Sequence, residues 1–581
     1  MLHQMMNIAR FITLLTTILL AVTTSAQIQF NGKNAAIDKL TGTWLLTIPE
    51  SAFGNDYTAT ITLDNAVTQC SINGEDVTDI YTFSNVQPGA TYHLQAVVGT
   101  DTVNAKIQFT CWPTIQIYGS YVKRPYYQGT VIYTHPDSST QETIRSRVRW
   151  AGSSTAEPER KKHNFHLKFY NEDGSKKDMS FFGLRSDFHW RLDAGQVDFS
   201  RVRNRVSKDI WVSFAHAPYY AAYEPKTPRN YVRGDFVEVF LNDEYMGIYS
   251  LNEHMDRQQL KLKQYDYEKG EFHGGLWKPM KWTYSTVFCN DPAFDPTQKS
   301  WDSYYVKYPN IDDVNPTNFK TLSDAIKFTL YSTDQEFLDS AKYYFDIPVM
   351  RDYYLFTILL QAPDNIGKNL YYACYDVATD KRLTMAVWDL DCTQGQYYIN
   401  TGSWYHHSSV GPEVDYRNNQ LKSHLLFNRL WNIDSTFHGL ATERYWELRE
   451  TTFNPDSILA RYIAYFDRMK RCGADQREIA RWSHGSDLAG RELNFDTELV
   501  YLRNWWDRHI AYLDNNVFIP YPLGDVNFDR EVDIHDLVIL INYLLEAPEN
   551  NINENKADMN NDGFINIRDI TTMLDVLLGN H

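Results

Sequence analysis

Six cysteines in 581 residues are too few for a scaffold built on disulfides. No Cys or His group shows the spacing of a zinc site, and the adjacent pair His406-His407 does not fit one, so no zinc is expected. Basic residues are in deficit, 56 against 73 acidic, which argues against a nucleic-acid partner, whose phosphates need a basic face. Beyond the N-terminus no apolar run approaches the roughly 20 residues of a bilayer-spanning helix. Neither glycine-rich phosphate loop, GxGxxG or GxxxxGK[ST], occurs anywhere in the chain.

What is present begins with "MNIARFITLLTTILLAVTTSAQ". Arg10, an apolar run from Phe11 to Val22 and small residues ending at Ala26 predict a secretory signal peptide over 1–26. No cysteine stands at the expected cleavage point, so a lipid anchor is not expected and the mature chain reads as secreted. In an oxidising compartment Cys70 and Cys111 are placed to pair, as are Cys374 and Cys392; the spacing alone settles neither bond.

The chain is long enough for several cores, and its patterning changes along its length. Residues 27–114 alternate in short runs such as "TATITLD" and "TYHLQAVV" between Gly, Asn and Pro turns, which predicts a small immunoglobulin-like β-sandwich acting as a spacer. Residues 115–519 mix periods and predict an α+β domain. "NFHLKFY" and "DFVEVFLNDEYMGIYSLNEH" read as strands, the latter a hairpin turning at Asn242-Asp243. "NFKTLSDAIKFTL", "DQEFLDSAKYYF" and "PVMRDYYLFTILLQA" read as helices. Ile519, Pro520, Tyr521 and Pro522 form a short stiff linker into residues 520–581, an all-α tail of two similar units.

Each tail unit places oxygen donors at loop positions one, three, five, nine and twelve, with a carbonyl due at seven. The first set is Asp525, Asn527, Asp529, Asp533 and Asp536 with the carbonyl of Glu531. The second is Asp558, Asn560, Asp562, Asn566 and Asp569 with that of Phe564. Such a loop meets the six to eight oxygens, roughly, that calcium takes, and an apolar helix follows each one. Two loop–helix units with no entering helix, and Asp in place of Glu at position twelve, resemble a type I dockerin. That resemblance implies Ca2+ binding and a cohesin partner on a larger extracellular assembly of the cellulosome kind. Arg530 holds position six of the first loop, where Gly is usual, at a cost on the order of 1 kcal/mol.

The remaining signal is "APDNIGKNLYYACYDVATDKRLTMAVWDLDCTQG". Asp364 and Asn369 stand at D-x4-N spacing, the arrangement in which an acid takes the proton of an attacking hydroxyl and an amide holds Mg2+. Taken alone, the same residues also suit turns and helix caps. After a strand, a turn and a second strand, Asp389 and Asp391 return to the same end of the sheet; alternation aims one of them at the site unless the chain bends there. The order helix, D-x4-N, strand, turn, strand, "WDLD", Gly resembles the CotH family of atypical secreted protein kinases, named for a spore-coat protein. "VRWAGSSTAEPERKKHNFHLKF", "LDAGQVDFSRVRN" and "VFLNDEYMGIYSLNEH" are similar to further segments of that family, although Asp243 replaces its usual Gly.

The resemblance implies an enzyme that moves the γ-phosphoryl group of ATP to a protein hydroxyl with Mg2+ or Mn2+. It makes Asp364 the base and Asn369, Asp389 and Asp391 the metal ligands. Lys162 becomes the candidate for pairing nucleotide phosphates, with Lys161 one position away. Glu253 becomes its orienting partner or a nucleotide contact. Arg149, Ser153 and Ser154 become a phosphate-cradling turn, and Lys368 a neutraliser of developing charge. Arg203 and Asn204 read equally as structural. Two other readings stand beside this one: a non-catalytic scaffold on a kinase-like fold, and a glycan-binding or glycan-processing component. The last rests on dockerins accompanying polysaccharide-degrading enzymes and on the aromatic stretch "GQYYINTGSWYHH".

Overall fold

The computed structural model describes residues 28–152, 154–293, 295, 297–298, 300–309, 318–397, 406–407, 411–483, 492–547 and 552–579. The expected signal segment lies outside them, as does most of the aromatic stretch 395–407.

The alternating runs near the N-terminus form two sheets. One holds Ile28–Phe30, Tyr57–Leu63 and Ile80–Phe83; the other has six strands, with Asp101–Thr110 between Thr43–Thr47 and Tyr92–Val98. Every second residue points inward, so Ala59, Ile61, Leu94 and Ala96 join Trp44, Phe83 and Phe109 in one core shared by both sheets. Lys39 fastens this unit to the next, its Nζ donating to the Asn242 carbonyl at 2.8 Å.

Seven strands then close into a barrel in the order Thr114–Tyr118, Tyr127–Thr134, Gln141–Ala151, Asn164–Tyr170, His189–Asp193, Tyr245–Asn252, Gly234–Leu241. The expected hairpin turns where Asn242 and Asp243 take φ of 48° and 62°, the left-handed pair that a two-residue turn of this hand requires. Phe165, Leu167, Trp190, Leu192 and Leu251 fill the barrel. By the same alternation His166, Lys168, His189, Arg191 and Asp193 are left on its outer wall.

A second sheet runs Ser300–Trp301, Tyr304–Tyr308, Gly275–Pro279, Leu370–Cys374, Thr384–Val387. The three predicted helices precede its last two strands as Lys320–Tyr331, Asp334–Tyr344 and Ile347–Leu359. Later helices enclose the largest core, and one of them, Ala474–Trp482, returns to pack on the barrel. Cys111 does not pair with Cys70: it lies near the Cys472 thiol, while Cys70 is buried in the N-terminal core. Nor is Cys374 joined to Cys392, for its thiol donates to the Asp380 carbonyl at 3.2 Å.

In the tail, helices Ile534–Leu544 and Ile567–Leu577 pack together through Leu537, Leu540 and Met573. The tail also rests on the preceding domain. Phe528 lies so close to Gly439 of helix Ser435–Arg449 that a Cβ there would meet the ring at 1.9 Å.

Candidate functional site

Helix Ile347–Leu359 ends in a short turn, Pro363–Asn365, and that turn begins the D-x4-N loop. Asn365, which the sequence reading passed over, ties the loop to the returning strand. Its amide nitrogen donates to the carbonyls of Asn369 at 2.9 Å and Trp388 at 2.8 Å. The Asp364 carboxylate receives the Asn369 amide at 3.3 Å and the Lys368 ammonium at 2.9 Å. Burial, opposed by Lys368 and reinforced by Asp389, raises the Asp364 carboxyl above the usual range. Asp364 also lines a pocket of about 330 Å³ with Trp282, Ile366, Cys392 and Tyr397.

Strand Thr384–Val387 stops before the acidic pair, and Asp389 takes φ 55°. That left-handed residue breaks the alternation, so both carboxylates are admitted to one side. Such φ values in non-glycine residues are uncommon and cluster at functional sites. Asp391 sits in the combined field of Asp389, Asp193, Asp364 and Asp198; burial first, then those charges, push its carboxyl well above the usual range. Asn204 fixes this corner, donating to Asp193 Oδ2 at 2.6 Å and accepting the Leu390 N–H at 3.1 Å. Asp364, Asn369, Asp389 and Asp391, spread over 28 positions of sequence, thus face one region, joined by Asp193.

Cations line the other side. Arg191, Lys278 and Lys208 stand 4.9, 5.0 and 5.8 Å from the Trp388 ring, which supplies a π-face beneath them. Burial lowers Lys278 to about 7 and Lys208 to about 8, against the opposing pull of Asp389 on both. Sequence reasoning missed these lysines. Lys208 lies four residues after Asn204 on helix Arg203–Phe214, hence on its face, and that spacing was a usable signal.

Several expected roles fall elsewhere. Lys162 is fully buried: its ammonium donates to Glu478 Oε1 at 2.7 Å and to the Ile248 carbonyl at 2.9 Å. Glu478 also receives Arg201 Nε at 2.7 Å and the Ile248 N–H at 2.7 Å. Lys162 is lowered to about 7 by burial, opposed by Glu478. Glu253 is therefore not its partner. Glu253 receives the N–H of Arg233 at 3.0 Å, the Arg233 guanidinium at 3.1 Å and the Gln259 amide at 3.0 Å, which makes it a buried tie between loops. Arg149 lies over the Tyr126 ring at 4.7 Å, opposite His166 in the strand register, away from the acidic corner. Ser153 is outside the described residues, and Ser154 begins a short 3-10 turn. Arg203 is structural: fully buried, it is held by Asp198 and by Glu498 at 2.6 Å.

Three histidines far apart in the sequence also come together. Strand register sets His166 opposite Arg191 and Lys168 opposite His189, so His166 and His189 are diagonal neighbours on the outer wall. His254, just beyond strand Tyr245–Asn252, completes a group with ring nitrogens within 4.8 Å of one another.

The tail loops close as their spacing requires. In the first, Asp525 accepts the Arg530 N–H at 2.8 Å and Asp536 the Val526 N–H at 2.9 Å. In the second, Asp558 accepts the Gly563 N–H at 2.8 Å and Asp569 the Asn566 N–H at 2.8 Å. Arg530 takes φ 73°, matching Gly563 at 85°, and its guanidinium lies 4.3 Å from the Tyr521 ring centroid. Asp525, Asp536 and Asp569 are buried, a donor set that fits a hard divalent ion.

A family model described as CotH kinase protein matches residues 148–513, and one described as Dockerin type I domain matches residues 523–578. No curated protein matches the chain.

Proposed function

Because this chain belongs to the CotH kinase family and ends in a type I dockerin, we propose that it is an exported protein kinase carried on a cohesin-bearing assembly. The reaction moves the γ-phosphoryl group of ATP to a hydroxyl of an extracellular protein. Asn369, Asp389 and Asp391 hold the divalent ion, a role that suits their oxygen donors and the excess of negative charge around Asp391. An ion held by these residues would supply positive charge against the phosphate oxygens. Lys278, Lys208 and Arg191, gathered over the Trp388 ring from the second sheet, a helix and the barrel, would face the remaining phosphate oxygens. Asp364 takes the proton of the acceptor hydroxyl, which enters from the pocket beside Trp282 and Tyr397. Its raised carboxyl lies closer to neutrality than an exposed aspartate, as a general base needs. Lys162 and Glu478 act one step back: their buried ion pair ties helix Ala474–Trp482 to the barrel.

The observation that carries this reading is the gathering of Asp364, Asn369, Asp389 and Asp391 opposite three buried or half-buried cations. The dockerin is expected to fold around Ca2+ and to bind cohesin through the exposed apolar residues Ile534, Val538, Ile567 and Leu574. Incubation with labelled ATP, Mg2+ and a panel of exported proteins tests the enzyme. Label on protein that disappears with Asp364→Ala supports it; equal labelling by both forms overturns it and leaves a scaffold on a kinase-like fold.

A further inference from the structure

Cys111 and Cys472 take no part in phosphoryl transfer as proposed, yet the fold brings their thiols together. Cys111 follows strand Asp101–Thr110 at the exit of the N-terminal unit, and Cys472 caps helix Pro455–Arg471. Most of the central domain lies between them in sequence. Contacts flank the thiols on both sides. Arg477 spans the two segments, Nη1 donating to the Phe109 carbonyl at 3.3 Å and Nη2 to the Cys472 carbonyl at 2.8 Å. Buried Glu238 fixes that guanidinium in turn, at 2.8 Å. The Arg468 guanidinium lies over the Trp112 ring at 5.8 Å. Gly473, with φ 69°, sits so close to the N-terminal unit that a Cβ there would meet the Gly89 nitrogen at 2.8 Å. Packing alone therefore holds the two thiols side by side, with no bond between them needed to keep them there.

The two sulfurs differ in access and in charge. Cys111 is half-buried and Cys472 fully buried, so a disulfide reagent reaches Cys111 first and Cys472 completes the exchange from within. Burial raises the Cys472 thiol, but the adjacent Cys111 thiol, against Glu238 and with Arg477, brings it below its ordinary value and favours the attacking thiolate. The exchange balances with a small-molecule or protein disulfide as oxidant. Cys111 Sγ attacks it, forming a mixed disulfide and releasing one thiol; Cys472 Sγ then attacks Cys111 Sγ and releases the second. Two electrons and two protons pass from the pair to the oxidant. The product would join the approach to the first barrel strand, Thr114–Tyr118, to the root of helix Ala474–Trp482, whose Glu478 receives Lys162. A cross-link over so long a loop restricts the unfolded chain strongly.

We propose that Cys111 and Cys472 form a disulfide in an oxidising milieu, closing the central domain into one covalent loop. The milieu follows from the export reading, and the test keeps the two apart by supplying the oxidant directly. The full chain, purified reduced and loaded with Ca2+, is equilibrated with reduced and oxidised glutathione, alkylated, digested without reductant and read by mass spectrometry. A peptide pair joined through Cys111 and Cys472 is expected, with the other cysteines alkylated. The thermal midpoint of the oxidised chain rises by about 5 °C and returns on reduction. Cys111→Ser removes both the joined peptides and the redox-dependent shift; Cys472→Ala gives the same reading and fills the buried position with an apolar group. Joined peptides that involve other cysteines, or alkylation of both thiols at a glutathione ratio poised near −180 mV, overturn the proposal. A chain that forms the bond with glutathione but is retained inside a host able to secrete it upholds the pairing and overturns export.

Discussion

At the scale of single residues, the chemistry turns on groups whose charge is held away from its ordinary range. Asp364 is expected to be the most sensitive position: Asp364→Asn keeps the Asn369 contact within reach yet removes the base, so kcat falls by about 10²–10⁴-fold with little change in ATP affinity. Lys278 and Lys208 carry the pH dependence. With values of about 7 and 8 they are mostly neutral near pH 9, and polyphosphate beside them restores their charge. On the proposed function ATP binding should therefore take up protons at alkaline pH, with the uptake fading toward pH 6, where both are already charged. Calorimetry in buffers of different ionisation enthalpy measures this directly. Lys278→Met removes most of the uptake; a binding enthalpy independent of buffer contradicts the assignment.

At the scale of elements, the telling contact is helix Ala474–Trp482 against the barrel. Gly247 has φ 93°, and a Cβ there would lie 2.0 Å from Glu478 Oε2, so only glycine lets the helix carboxylate reach both Lys162 and Arg201. Breaking a buried pair from one side strands the partner's charge, at about 3–5 kcal/mol. Glu478→Gln should lower stability to urea by that order, since Lys162 and Arg201 both lose their buried carboxylate. Full stability of the single variant would contradict the role given to this pair. Here the limits of sequence reading have a physical form. The hairpin at Asn242-Asp243, the D-x4-N loop and the calcium loops were legible because turn chemistry and ligand spacing are local. Lys162 and Glu478 are separated by 316 positions, and nothing local marks them as partners. The histidines were hidden for a related reason: His166 and His189 become neighbours only through the register of two antiparallel strands. Asp389 and Asp391 were read as a pair of which one faces the site unless the chain bends, and the φ 55° at Asp389 is a property of the folded chain.

At the scale of the whole molecule, the dockerin leans on the central domain through Phe528 at Gly439 and through Asn553, whose amide donates to Glu443 at 3.4 Å. Chelation should unfold residues 523–578 and abolish cohesin binding, while the main unfolding transition of the larger domain stays within a few degrees; circular dichroism with and without chelator checks both. Loss of the main transition together with the tail would mean that the seat supports the entire fold.

The most direct test of the central claim is a count of the manganese held with nucleotide, read by electron paramagnetic resonance on the full chain with its dockerin loops saturated by calcium. Wild type should bind Mn2+ only when ATP is present, and Asp391→Asn should lose that nucleotide-dependent binding while unfolding at the same temperature. Equal manganese binding by both forms would contradict a shared cation at positions 369, 389 and 391.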